Sequence, residues 1–278
     1  MRFIATILVL IMCLGVGHPA FAFGAPKSEL WGRWIKHDPK SKITIDHQVW
    51  AEFLKKYLVV DEDGINRLAY DRVSSKSKDA LERYLVALEN TNVDTLARPE
   101  QRAYWINLYN ALTIKVVLDH YPVETIQDID ISPGFFESGP WGKKLLKIRG
   151  ERLSLNDIEH RILRPIWQDP RIHYAVNCAS FGCPNLLPKP FEATRMNQQL
   201  DTAARDFINH DRAVWFDGDD LGASSIYKWF SEDFGGNDRN ILEHLKKYAA
   251  PNLRARLNKK RDINVYHYDW SLNGATSN

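Results

Sequence analysis

Hydrophobic and polar positions along this chain repeat with two different periods, and the switches between them mark its elements. The pattern opens on an almost unbroken apolar run over residues 3–16. Val49, Trp50, Phe53, Leu54 and Tyr57 then recur at helical spacing, which predicts an amphipathic helix. Asp63-Gly64 turns the chain into a short extended stretch over 67–70. Asp61 and Asp63 resemble the start of a calcium loop, but the glycine comes too early and no downstream Glu stands where that loop needs it, so the segment reads as a plain turn. A second helix is predicted over 78–90. The third and longest runs over 99–120, from Pro99 in the first turn to a stop before Pro122. Trp105, Ile106, Tyr109, Leu112, Thr113 and Val116 make its broad apolar face. Asn107 and Asn110 sit on a neighbouring stripe, where a buried amide must find partners: they either brace adjacent loops or contact a ligand.

Residues 132–142 are dense in Gly, Pro, Phe and Trp without periodicity, as expected of an ordered loop that rims a cleft. A hairpin is predicted next, with strands over 145–148 and 152–155. Ser154 and Asp157 have capping-box spacing and start a helix that runs through Arg164. Residues 171–177 read as a strand that runs straight into a Gly- and Pro-containing turn over 178–184. Further helices are predicted over 193–209 and 227–233 and twice more before 259, with a strand over 214–216 and an extended segment over 266–270. The sum is a mainly helical α+β domain with one small antiparallel sheet, built from the hairpin, the His173 strand, the Val214 strand and the Tyr268 segment. No repeat or linker interrupts it. The division is an N-terminal arm over 23–44, a single domain over 45–273 and a tail over 274–278.

Composition changes the reading of the opening run. Arg2 precedes it and Pro19-Ala20-Phe21-Ala22 ends in a small-x-small pattern, so residues 1–22 read as a cleaved signal peptide. The run is shorter than the roughly 20 residues a bilayer span needs, and no later segment supplies an integral membrane segment. A lipid anchor on Cys13 is disfavoured by the bulky Met12. The expected location is therefore periplasmic or secreted. Cleavage removes only Arg2 among the charges, taking the net charge from +2 to +1, too balanced to grip nucleic acid. It also removes Cys13, leaving Cys178 and Cys183 in a compartment that favours oxidation.

Four stretches, Ala103–Leu112, Ser154–Arg164, His173–Pro184 and Tyr268–Asn273, resemble in order and spacing the family called domain of unknown function 547. Ser225–Phe230 with Asp233-Phe234 looks like that family's segment before its last helices, so the resemblance spans about 45–273. It implies no agreed reaction. It does mark Cys178 as the more distinctive thiol, since plant members commonly carry Ser at the place of Cys183.

The thiols leave three readings open. Cys178 and Cys183 would form a structural disulfide if the turn brings their Cα atoms to about 6 Å. Cys178 would instead be a nucleophile if a base, His173 or His160, lies within hydrogen-bond reach, with Glu159 or Asn107 as orienter or oxyanion donor. As a metal ligand it would join His173, His160 and Glu159, a donor set that suits zinc. No cofactor is otherwise implied. On a continuing strand His173 and Cys178 would face opposite ways unless the strand ends at Asn177, in which case the turn swings the thiol back; otherwise His160 is the better partner. On an α-helix His160 shares a face with Asp157 and Arg164, while Glu159 faces with Leu155 and Leu163. Ser180 lies beside these groups but lacks a Gly-x-Ser-x-Gly elbow, which leaves it a binding contact. Dinucleotide, nucleotide and zincin motifs are absent. Two functions remain: a thiol-dependent hydrolase or transferase, or a non-catalytic disulfide-stabilised domain that binds a peptide or glycan. The ligand is a peptide, a glycan or a small molecule.

Overall fold

A computed structural model describes residues 25–133 and 138–275. The expected signal peptide over 1–22 lies outside these residues, as do 134–137 of the aromatic loop and the last three of the tail. The amphipathic spacing near Trp50 forms helix α1 (Gln48–Tyr57), followed by β1 (Leu58–Val60) and β2 (Asn66–Leu68), an antiparallel pair. Arg67 clamps the turn between them through Asp61 at 2.8 Å and Asp63 at 2.5 Å. Ser74 caps helix α2 (Ser75–Glu89) by accepting from Ser77 N–H. Helix α3 (Arg98–His120) is buried on nearly every side, so it is the core of the fold rather than a half-exposed surface helix.

That burial decides what the polar residues of α3 do. Asn107 donates to Phe191 O at 2.8 Å and accepts from Phe191 N at 2.9 Å. Asn110 donates to Ala175 O at 2.9 Å and accepts from Asn177 N at 2.8 Å. Each amide therefore fixes a distant loop to the central helix, and leaving either unpaired in this core costs about 1–3 kcal/mol.

The hairpin forms as β3 (Leu146–Ile148) and β4 (Glu151–Leu153), antiparallel. The capping box after it also forms: Ser154 N donates to Asp157 Oδ2 at 2.8 Å, and Asp157 N donates to Ser154 Oγ at 3.2 Å. Beyond it the helix is a wide π-type turn over Asp157–Leu163, continued by the short α4 (Arg164–Trp167). Helix α5 (Met196–Ile208) leads to β5 (Val214–Asp217), which pairs antiparallel with β6 (Asp220–Ser224). Then come α6 (Ser225–Trp229), α7 (Asp238–Tyr248), α8 (Pro251–Leu257) and β7 (Val265–His267).

The protein is thus mainly helical α+β, with the sheet divided among three small pieces. The third piece, β5-β6-β7, is mixed, because β7 joins β6 in parallel. The expected strand over 171–177 is not a strand. Pro170–Tyr174 is a 3-10 turn, because Asp169 accepts from Arg171 N and Pro170 fills its first position, and this local cap overrides the β-forming Ile172, Tyr174 and Val176. Among the described residues no helix is long and apolar enough to cross a membrane.

Candidate active site

Two irregular turns bring the predicted residues together. Arg164 N–H bonds Glu159 O, five residues back, and this wider winding narrows the angle between successive side chains. Glu159 and His160, which an α-helix would point apart, both line one cavity. The carbonyls of His160 and Arg161 do not go unpaired: Glu29 N and Trp31 N of the arm bond them at 3.0 Å each. The arm is pinned there by Trp34, buried 5.2 Å from the Trp105 ring. The 3-10 turn supplies the third side chain. His173 stacks on Phe230 with ring centroids 4.3 Å apart and also lines the cavity.

The thiols sit on the turn that follows. Ala179 adopts φ +60°, a left-handed conformation that a non-glycine residue holds only when its surroundings enforce it. The enforcing element is the C-terminal segment: Phe181 N bonds Ser271 O at 2.7 Å, Gly182 N bonds Asp269 O at 2.8 Å and Asn273 N bonds Ala179 O at 3.0 Å. This strap delivers Tyr268 to the thiol. Cys178 Sγ lies 3.0 Å from Cys183 Sγ, 3.0 Å from Tyr268 Oη and 3.1 Å from Ser180 Oγ, and Ser180 Oγ is 2.6 Å from Tyr268 Oη. The sulfurs are in contact but unbonded, since a disulfide measures about 2.05 Å.

The charges are arranged in a chain. His173 Nε2 donates to Asp233 Oδ2 at 2.6 Å, and the same oxygen accepts from Arg164 Nε at 2.6 Å. Burial alone would raise Asp233, but these two bonds hold it down at about 2. His173 Nδ1 then faces Glu159 Oε1 at 3.8 Å, and His160 Nδ1 lies 3.9 Å from the same oxygen while it accepts from Arg164 at 3.0 Å. Burial pushes both imidazoles below their ordinary value, so they are neutral near pH 7. Burial also raises Glu159 to about 7, against Arg164 and the nearby Tyr109 hydroxyl, which favour the carboxylate. The hydrogen bond with Cys183, helped by Ser180 and Tyr268, draws the Cys178 thiol down, while burial pushes Cys183 up. A carboxyl poised near neutrality and an activated thiol therefore share one cavity.

The stretches that build these turns coincide with a known family. The family described as "Protein of unknown function, DUF547" matches residues 93–208. Over these residues the chain is similar to that family. The matched segment carries α3, the wide turn, the 3-10 turn and the thiol turn, and stops before α6 and the strap. No curated protein and no solved structure matches the chain.

Cys178, His173, His160 and Glu159, all within the matched segment, line the cavity together. Neither imidazole is among the hydrogen-bond contacts of Cys178, because His173 is turned to Asp233 and His160 to Arg164. Asp157 does not orient His160. It pairs with Lys144 and with Arg161 at 3.1 Å, as the wide turn breaks the α-helical face on which Asp157 and His160 would have met. Ser180 reaches the thiol, whereas Asn107 and Asn110 stay with the backbone they brace. Among the described residues no group of three or more His, Cys, Asp or Glu side chains is placed to hold a metal ion. Sequence reasoning did not single out Tyr109, Arg164, Asp233 or Tyr268 for the site. Tyr109 reads as core, Arg164 reads only as a neighbour of His160 on its helix, and Asp233 and Tyr268 reach the site through contacts far apart in the chain.

Proposed function

We propose that the cavity is a thiol acyl-transfer site in which Cys178 is the nucleophile and Glu159 the general acid and base. One observation carries this reading: Cys178 and Glu159 line the same cavity, each shifted toward neutrality by its own neighbours. The Cys178 thiolate attacks a carbonyl carbon and the C–S bond forms. The C–N or C–O bond then breaks, and the leaving group takes the Glu159 carboxyl proton. In the second half, water or an acceptor amine attacks the thioester and gives its proton to the Glu159 carboxylate, and the C–S bond breaks to return the thiolate.

The imidazoles act through Glu159 in this scheme. His173, with its Nε2 proton on Asp233, presents a bare Nδ1 toward the carboxyl, which makes it a positioning residue for the Glu159 proton. Tyr268 and Ser180 stabilise the thiolate. The leader read over residues 1–22 makes a periplasmic or secreted location the proposed place of work.

The test is acylation by p-nitrophenyl acetate followed by mass spectrometry. The expected result is one acetyl group on Cys178, absent in Cys178→Ala, with Glu159→Gln acylated but slow to release it. A nitrophenol burst of full amplitude in Cys178→Ala removes the reading.

A further inference from the structure

Four aromatic rings stand around the outer part of the cavity. Trp229 lies 4.9 Å from Tyr268 and 5.5 Å from Trp270, and Trp270 lies 4.6 Å from Tyr268 and 5.8 Å from Trp141, centroid to centroid. All four are half-buried and line the cavity. Ring faces carry the negative end of the aromatic quadrupole, and such a cluster attracts a cation.

The inner lining has matching charge. Its ionisable side chains are carboxyl, imidazole, thiol and phenol, and no Lys or Arg is among the described lining residues. The nearby Arg164 is already neutralised: it sits over the Phe230 ring at 4.8 Å, paired with Asp233 and bonded to Pro26 O at 2.8 Å. With both imidazoles neutral, the charge of the cavity comes from Glu159 and Cys178 and is zero or negative. An anion is repelled. The cavity holds about 60 Å³, room for roughly five waters, which admits the end of a linear chain.

We infer that the cavity binds a primary alkylammonium group, seated against the rings of Trp229, Trp270, Trp141 and Tyr268 with Glu159 as its counter-charge. Its assignment as acceptor or leaving group rests on the acyl-transfer reading, whereas the binding does not. The groups that face Glu159 are Tyr109 from α3, His160 and Arg164 from the wide turn and its continuation, His173 from the 3-10 turn, Cys178, and Asp233. An ammonium added beside them favours the carboxylate, so binding below neutral pH releases the Glu159 proton.

The experiment is calorimetry on the full chain carrying Cys178→Ala, at pH 6 in two buffers of different ionisation enthalpy, with n-butylammonium, 1-butanol and butyrate. Butylammonium is expected to bind at least about ten-fold tighter than the other two, with release of most of one proton per site. Glu159→Gln abolishes the release, and Trp229→Leu or Trp270→Leu weakens the amine about three- to thirty-fold. Butanol binding as tightly as the amine, butyrate binding more tightly, or binding without proton release overturns the inference. The ligand ranking in Cys178→Ala decides it even where a Trp variant does not fold. Amine binding together with no acyl-enzyme in the unaltered protein supports this inference and removes the acyl-transfer reading.

Discussion

His173 Nε2 and Asp233 Oδ2, 60 residues apart in sequence, are joined by a 2.6 Å hydrogen bond that turns the imidazole away from Cys178. The bond leaves the other imidazole nitrogen, Nδ1, facing Glu159 at 3.8 Å, and it links the wide turn and the 3-10 turn to the segment after α6.

Removing the charge of Asp233 exposes that link. Arg164, with 3% of its side chain exposed, loses its carboxylate partner and keeps its own charge. Asp233→Asn is therefore expected to destabilise the protein by about 3 kcal/mol, in the range for breaking a buried ion pair. Urea unfolding at pH 7 measures it; an unchanged midpoint contradicts the pairing.

Glu159 makes stability depend on pH in an unusual direction. Its folded value, about 7, lies above the ordinary 4.5, so between these two the unfolded chain carries the carboxylate while the folded chain keeps the acid. Raising the pH through that window favours unfolding, and stability is lost from about 4.5 up to about 7 and is level above it, by at most roughly 3 kcal/mol. Glu159→Gln removes this loss. Thermal unfolding of both proteins at pH 5 and pH 8 is expected to show the gap between them shift in favour of the variant at pH 8.

The contact between Cys178 and Cys183 makes the site sensitive to oxidation. Diamide is expected to take two electrons and two protons from the pair, close the disulfide and lower the protein mass by about 2 Da. Iodoacetamide labelling of Cys178 then stops until a reductant is added. Cys183→Ala removes the leading hydrogen bond that lowers the Cys178 thiol, so labelling at pH 7 slows several-fold. Equal labelling rates in the variant and the parent sink this account.

Gly182 is required by the strap. A Cβ there would meet Asp269 N at 2.8 Å and Asp269 O at 2.9 Å, backbone atoms that cannot rotate aside. Gly182→Ala is expected to push the strap off the thiol turn, at a cost of about 1–3 kcal/mol, and to withdraw Tyr268 from Cys178. Slower Cys178 labelling together with a lower melting temperature is the predicted pair of results, and a parent-like value of both rejects the strap's role.

Much of the fold was legible locally. The spacing of Trp50, Phe53 and Tyr57, the Pro99 start of the central helix, the hairpin and the Ser154–Asp157 capping box all act within a few residues, and local pattern reports such interactions directly. The same locality explains the strand wrongly expected over 171–177: the Asp169–Pro170 cap was present in the sequence, but the alternating apolar residues beside it gave a competing signal. The wide turn was not legible, because its i to i+5 winding shows no period of its own.

By itself, then, the sequence singled out Cys178, His173, His160 and Glu159 as candidates, on an expected helix, strand and turn, and the structure sets all four around one cavity. Only tertiary structure decided their neighbours. Asp233 reaches His173 across 60 residues and Tyr268 reaches Cys178 across 90. Contacts at that separation arise from core packing and leave no spacing in the chain to read.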